Sequence, residues 1–339
     1  MSTELLNGKR QILYSICPVG NASCIALKQS WLTGGLAELG VTATKLQTLP
    51  QERWQVHFTY EDPALFREGG NIPPIWAKSR GAQPVLLGWT FLGWKQLILV
   101  RSDSPYQTVE ELRHRRLGVT RSADSRIDFW QATIRRGFET ALVARGLTPR
   151  DVDFVEILAE LGRGHRETFA LEALESGRVD AVYYGGSWAQ SLLETGKLRA
   201  IYDLSADPSL VWPISNEHPN ILTVSRQLAE SAPEIVIAYL KQVLKAAEWA
   251  KTHRLEVENI FAEQTSGTPE QVAAARPDDF HLHLAPELSE AGLLALESQQ
   301  RFLLDHGYIE RSFAIDQWVD ARFLQAAREE TASSGLAAI

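Results

Sequence analysis

The stretch Leu97–Val119 reads LILVRSDSPYQTVEELRHRRLGV. Its apolar start, with Gln96 in front, predicts a strand over Gln96–Val100. Arg101–Pro105 is a polar breaker cluster. Thr108 with Glu111 three residues on predicts a capped helix start, and Leu117–Thr120 predicts the next strand. Strand, breaker, helix start and strand mark a passage from one α/β lobe into a second.

Working outward, the same alternation continues. Upstream, strands are predicted at Gln11–Ser15, Val41–Leu46 and Val85–Leu87, and the alternating Val56–Tyr60 reads as a strand. One helix is predicted over Asn21–Gly40, with Ile25, Leu27, Trp31, Leu32, Leu36 and Leu39 apolar. Gly69–Pro74 is a glycine turn with proline near a helix start, and that helix runs to Ser79. Downstream, helices at Ile127–Ala144 and Arg166–Glu175 alternate with strands at Val152–Ile157, Val179–Tyr184, Leu198–Asp203 and Ile221–Val224. Beyond Ala232 the pattern is helical: Ile235–Thr252, Glu256–Glu263, Pro286–His306 and Ala314–Arg328. The fold class expected is α/β, with mostly parallel or mixed sheets, flanking helices and a helical C-terminal part. A return near Leu204–Ser215 makes the middle an insertion. Lobe one is then discontinuous, residues 1–101 and 206–339, and lobe two is 102–205. Ligands of open α/β sheets bind at the carboxyl ends of the strands, so a cleft is expected there.

Composition narrows the function. The chain has 339 residues, 45% hydrophobic and 22% charged, which suits a globular protein with a sizeable core. Lys plus Arg number 34 against 42 Asp plus Glu, a net charge of −8. That balance argues against nucleic acid or an anionic membrane as partner, while allowing a local pocket for one small anion. Two cysteines, Cys17 and Cys24, exclude a disulfide scaffold and a Cys-built zinc site, though they could pair with each other. No run approaches the roughly 20 apolar residues of a membrane span. Lys9-Arg10 before Ile12–Cys17 imitates a lipoprotein signal, but the apolar stretch is short and Pro18 follows. The chain therefore reads as a mature cytoplasmic protein. His281-Leu282-His283 lacks a third ligand, so no metal is expected. Gly162–His165 is too short a glycine pattern for a phosphate cradle. Glu110-Glu111 and Glu329-Glu330 read as solvated faces.

Three segments carry chemistry: Tyr14–Pro18 (YSICP), Val56–Tyr60 (VHFTY) and Arg67–Gly70 (REGG). Each lies at or near a predicted strand end of lobe one, so a thiol, an imidazole, a guanidinium and a glycine N–H can converge. A thiol of pKa about 8.5 is mostly protonated at neutral pH, and a neighbouring imidazole can move its proton. A guanidinium grips a two-oxygen anion through its planar fork. The Gly70 N–H, next to a helix start, can donate to the same anion. Taken singly, each residue has a structural reading: free Cys is usually buried packing, and a lone His or Arg is usually structural or surface. Cys24, one turn into its helix, fits that reading.

Two resemblances follow. Leu97–Val119 and LESGRVDAVYYGGSWAQ (Leu174–Gln190) resemble the lobe crossover and second-lobe segment of type II periplasmic-binding-protein-like chains, in the sulfonate, nitrate and thiamine-precursor group. YSICPVGNA (Tyr14–Ala22), VHFTYEDPALFREGGNIPP (Val56–Pro74) and AIDQWVDARFL (Ala314–Leu324) resemble the aromatic sulfinate desulfinases of dibenzothiophene desulfurisation. The middle, around Asp124–Glu160, aligns poorly with that family, and Asp62 stands where a neutral amide is expected. The family resemblance implies a cofactor-free hydrolase that cleaves the aryl C–S bond of 2'-hydroxybiphenyl-2-sulfinate, or a close aryl sulfinate, to 2-hydroxybiphenyl and sulfite. It puts the catalytic cysteine on Cys17, the histidine on His57, the sulfinate-binding arginine on Arg67, the glycine amide on Gly70 and a site serine on Ser15. Phe58, Tyr60, Trp130 and Trp188 are candidates to pack the aryl group. The expected partner is the small aromatic sulfinate alone, bound by a monomer without metal, cofactor, nucleic acid or membrane. Two routes stand open: Cys17 thiolate attacks sulfur, or the Cys17 thiol protonates the ring carbon. The rival readings are a non-catalytic solute-binding protein for an aromatic sulfonate, and a pyrimidine- or thiamine-precursor synthase of the same fold.

Overall fold

Two sheets organise the chain in the computed structural model, which describes residues 5–6, 9–122, 126–159, 166–210 and 213–333. They belong to two compact units. One comprises Met1–Leu92, Glu217–Ser266 and Asp278–Ile339, the other Gly93–Asn216 and Gly267–Pro277.

The first unit holds β1 (Leu5–Leu6), β2 (Lys9–Ile16), β3 (Val41–Lys45), β4 (Leu65–Gly69), β5 (Pro84–Thr90) and β11 (Asn220–Ser225). Their order is β1-β2-β4-β11-β5, with β3 also on β2. β2 runs parallel to β3 and β4, whereas β11 runs antiparallel to β4 and β5. The register is decisive. Leu13 lies opposite Leu65, and one row further Ser15 lies opposite Arg67, which lies opposite Thr223. Because side chains alternate across a strand, these rows share one face. The apolar row packs with Leu46, Val56, Tyr60 and Ala77. The next row on the same face is polar and buried, and it begins the functional site.

The second unit holds β6 (Gln96–Arg101), β7 (Arg116–Ser122), β8 (Asp153–Ala159), β9 (Ala181–Gly185) and β10 (Leu198–Asp203), in the order β10-β6-β9-β7-β8. Both faces are covered. Ile98, Val100 and Tyr183 pack on one side, Leu97, Leu99 and Tyr184 on the other. That explains the unbroken apolar run in β6.

The sheets are mixed, as the expected fold class allows, since β6, β10 and β11 pair antiparallel with their neighbours. Several single elements differ from expectation. The single helix over 21–40 is two, Ala22–Lys28 and Trp31–Ala37, separated by Ser30 in a left-handed conformation at φ 59°. Val56–Tyr60 is not a strand but one helical turn, Val56–Thr59, closed by Tyr60 at φ 58°. Five alternating residues fit a single turn as well as a strand, and the bonds Thr59 N→Gln55 O (3.0 Å) and Tyr60 N→Val56 O (3.0 Å) decide for the turn. The Glu111 carboxylate does accept the Thr108 N–H at 3.1 Å. Only a 3₁₀ turn, Glu110–Leu112, follows, because Arg113 is extended and His114 has φ 60°. The last helix begins at Ala321, after Val319 has bridged to Leu86 of β5. Gly162–His165, and the ends Asp124 and Glu160 of the poorly aligning stretch, lie outside the described residues. No helix among the described residues is long and apolar enough to cross a membrane.

Candidate active site

The carboxyl ends of β2 and β4 are adjacent because the strands are parallel. Cys17 follows β2 directly, and its N–H donates to the Glu68 carbonyl at 2.9 Å, so the pairing outlasts the strand. This carries the thiol over Gly69. A Cβ at Gly69 would overlap the Cys17 sulfur, so only glycine lets the two strand ends approach this closely. Beyond Gly70 the helix Ile72–Ser79 starts, with prolines in its first turn where no N–H is needed.

Arg67 is 1% exposed. Its Nη1 donates to the Gly70 carbonyl at 2.9 Å, and its own carbonyl accepts from the Thr223 hydroxyl at 3.1 Å. Its Nε is buried with no acceptor in reach, and no carboxylate among the described residues forms an ion pair with it. Burying a charge without a partner is costly. A guanidinium held this way is set up for an anion from outside the chain.

The turn at Val56–Thr59 supplies the imidazole. On a helix, residues three apart share a side, so His57 and Tyr60 both reach the site; on a strand they would face opposite ways. His57 Nδ1 lies 2.8 Å from the Ser15 hydroxyl, and Nε2 lies 3.8 Å from the Cys17 sulfur. Gln47, in the 3₁₀ turn after β3, donates its side-chain N–H to Ser15 Oγ at 2.9 Å. Tyr60 OH and Thr223 Oγ1 are 2.7 Å apart. Phe58 packs edge-on to the His57 ring, centroids 4.8 Å apart.

The electrostatics favour a neutral pair. Burial pushes the Cys17 thiol up, opposed by the Arg67 charge and by the Gly70 N–H that donates to the sulfur. Burial, with the Arg67 charge helping, holds His57 well below the usual imidazole range. A thiol facing a neutral imidazole results, rather than a thiolate–imidazolium pair.

Of the residues singled out in the sequence, Cys17, His57, Arg67, Ser15, Gly70 and Tyr60 come together here, with Phe58 on the back of His57. Trp130 and Trp188 belong to the second unit, where their rings lie 5.2 Å apart, and Trp94 stands 6.0 Å from Trp188. Both cysteines are free. Asp62 accepts the Ala64 N–H at 2.9 Å and pairs with Arg53 at 2.8 Å. His283 pairs with Asp279, and no metal-binding group of three His, Cys, Asp or Glu residues stands together among the described residues. Two participants went unread: Gln47 and Thr223. The one available signal was the position of Gln47 just past a strand's carboxyl end; nothing local marked Thr223.

No protein-family model matches the chain. The 2'-hydroxybiphenyl-2-sulfinate desulfinase of Rhodococcus erythropolis is 30% identical over 365 residues, covering 95% of this chain and 95% of that protein. The desulfinase of Rhodococcus qingshengii matches to the same extent. The chain belongs to the 2'-hydroxybiphenyl-2-sulfinate desulfinase family. The desulfurization enzyme DSZB has a crystal structure as a cysteine-to-serine mutant in complex with biphenyl-2-sulfinic acid. It superimposes with TM-score 0.73 at 28% identity, over 94% of this chain and 99% of that one. The periplasmic aliphatic sulphonate-binding protein SsuA of Escherichia coli superimposes with TM-score 0.68 at 16% identity, over 91% and 92%. That second likeness shows the fold alone. The desulfinase resemblance read from the sequence and the periplasmic-binding-protein-like α/β fold therefore both hold.

Proposed function

We propose that the protein is an aryl sulfinate desulfinase that hydrolyses the C–S bond of 2'-hydroxybiphenyl-2-sulfinate, or of a close analogue, to 2-hydroxybiphenyl and sulfite. One observation carries the reading: a buried guanidinium, Arg67, with no carboxylate partner among the described residues, beside a Cys17–His57 pair. Family membership supports the same reaction.

In this mechanism Arg67 and the Gly70 N–H hold the sulfinate oxygens, donors fixed before the substrate arrives. The neutral resting pair favours the second of the two routes. The Cys17 thiol gives its proton to the ring carbon that bears sulfur. The C–S bond then breaks, its electron pair restores the aromatic ring, and SO2 leaves. The thiolate left behind is stabilised by the Arg67 charge and, once SO2 has left, by the Gly70 N–H that faces the sulfur. Water adds to SO2 to give hydrogen sulfite and a proton, and the thiol is restored. No cofactor enters the balance. Phe58 and Tyr60 offer apolar surface to the aryl group. A catalytic thiol must stay reduced, which favours a cytoplasmic enzyme.

The test is incubation with 2'-hydroxybiphenyl-2-sulfinate, assaying sulfite and 2-hydroxybiphenyl together. Equal molar release of both is expected. A shift in melting temperature with neither product released would make the protein a solute binder instead.

A further inference from the structure

The Ser15 hydroxyl has one proton to give and two lone pairs to accept with. It is fully buried. Its partners are the Gln47 side-chain N–H, which donates to it at 2.9 Å, and His57 Nδ1 at 2.8 Å. With one lone pair taken by Gln47, the hydroxyl proton needs an acceptor, because a buried donor left unpaired is costly. The acceptor within reach is Nδ1. A neutral imidazole carries a proton on one nitrogen and a lone pair on the other. If Nδ1 accepts, the proton is on Nε2, which faces the Cys17 sulfur at 3.8 Å.

We propose that Gln47 is a positioning residue that, through Ser15, holds His57 as the Nε2–H tautomer and so presents the sulfur with an N–H instead of a lone pair. The inference rests on the reading of Cys17 and His57 as the reacting pair and deepens it. In this tautomer His57 does not take the thiol proton at Nε2. It supports the thiolate that remains once that proton has gone to the ring carbon. The placement suits the task. Leu46 anchors the 3₁₀ turn in the core while Gln47 itself is exposed, so its side chain can be changed without disturbing packing.

Gln47→Glu is the discriminating variant. A carboxylate only accepts, so the Ser15 proton turns toward it, Ser15 accepts from Nδ1–H, and Nε2 is left bare. Nitrogen-15 spectra of the resting protein, with the His57 signals identified by their loss in His57→Gln, read the tautomer directly. The wild type should show the proton on Nε2, Gln47→Glu on Nδ1, and Gln47→Met a mixture. Gln47→Glu should also lower kcat by roughly 10²-fold, as a wrong imidazole tautomer does elsewhere, with KM within about twofold. The same tautomer in wild type and Gln47→Glu, or an Nδ1–H wild type, overturns the proposal. The spectra need no turnover. An inverted tautomer with sulfite release untouched in both Gln47→Glu and His57→Gln would leave Gln47's role standing and remove His57 from the desulfination mechanism.

Discussion

Cys17, in the turn after β2, and Cys24, in the helix that follows, lie in one short segment of chain, yet their surroundings separate them. Burial raises both thiols. Cys24 goes to about 12 with little to oppose it beyond the Asn21 backbone N–H. For Cys17 the same burial is countered by Arg67 and the Gly70 N–H, and a ring nitrogen stands against the sulfur. What sets the thiol proposed to react apart from a packing thiol is what a strand end brings beside it, together with its partial exposure where Cys24 is buried. A helix interior surrounds a side chain with its own turns, whereas parallel strand ends bring residues from distant segments together.

The largest break in that comparison should come from Cys17→Ser. A serine hydroxyl is a far weaker proton donor, so sulfite release should fall below detection while the melting temperature stays close to wild type. A Cys17→Ser enzyme that still turns over would erase the distinction. Next is His57→Gln, which removes the ring N–H set against the Cys17 sulfur. A loss of roughly 10²–10³-fold in kcat/KM is expected, the usual cost of removing an oriented donor, and a near-native rate would make His57 structural. Arg67→Lys keeps the charge and loses the fork. It should lose about 10²–10³-fold, the usual scale for removing an oriented donor, and perform little better than Arg67→Ala. Recovery of most of the rate by lysine would reduce Arg67 to a distant charge.

Glu68 sharpens the comparison through stability. It sits on the opposite face of β4 from Arg67, buried, and burial pushes its carboxyl up to about 7. A raised folded pKa means that the folded state binds the extra proton. The stabilisation is complete below about pH 4.5 and is lost as pH rises through about 7, worth roughly 3 kcal/mol in all. Glu68→Gln should flatten the fall in melting temperature between pH 5 and 8 that the wild type shows; an unchanged slope would place the titration elsewhere. The smallest effect belongs to Cys24→Ala, expected to cost about 1 kcal/mol in urea unfolding and to leave turnover within about twofold. A loss of activity matching that of Cys17→Ser would show that the two thiols are not distinct in kind.

The sequence made the strands legible wherever apolar residues ran between breakers, and the end of the strand before Cys17 was among them; β4, which carries Arg67 and leads to Gly70, went unread as a strand because only Leu65 and Phe66 of its five residues are apolar. It failed where a pattern was too short to carry a period. Val56–Tyr60 alternates and folds as a turn, and the turn is what aligns His57 with Tyr60. It failed at Ser30 because a serine in left-handed conformation leaves no glycine or proline to read. Gln47 and Thr223 went unread for another reason: beyond Gln47's place just past a strand end, each acts through a partner on a paired strand, and that pairing is a property of the sheet.

Gly69 constrains what laboratory evolution of this protein can reach. Any other residue at that codon meets the sulfur of Cys17 before it meets anything else. Yet β4 stays paired on both sides, to β2 and to β11, and Arg67 keeps its place in the sheet. Libraries that randomise position 69 should therefore be rich in folded chains that release no sulfite and still take up an aryl sulfinate. One codon then separates a catalyst from a receptor, and a melting shift on sulfinate in a catalytically silent Gly69→Ala protein is the measure of it.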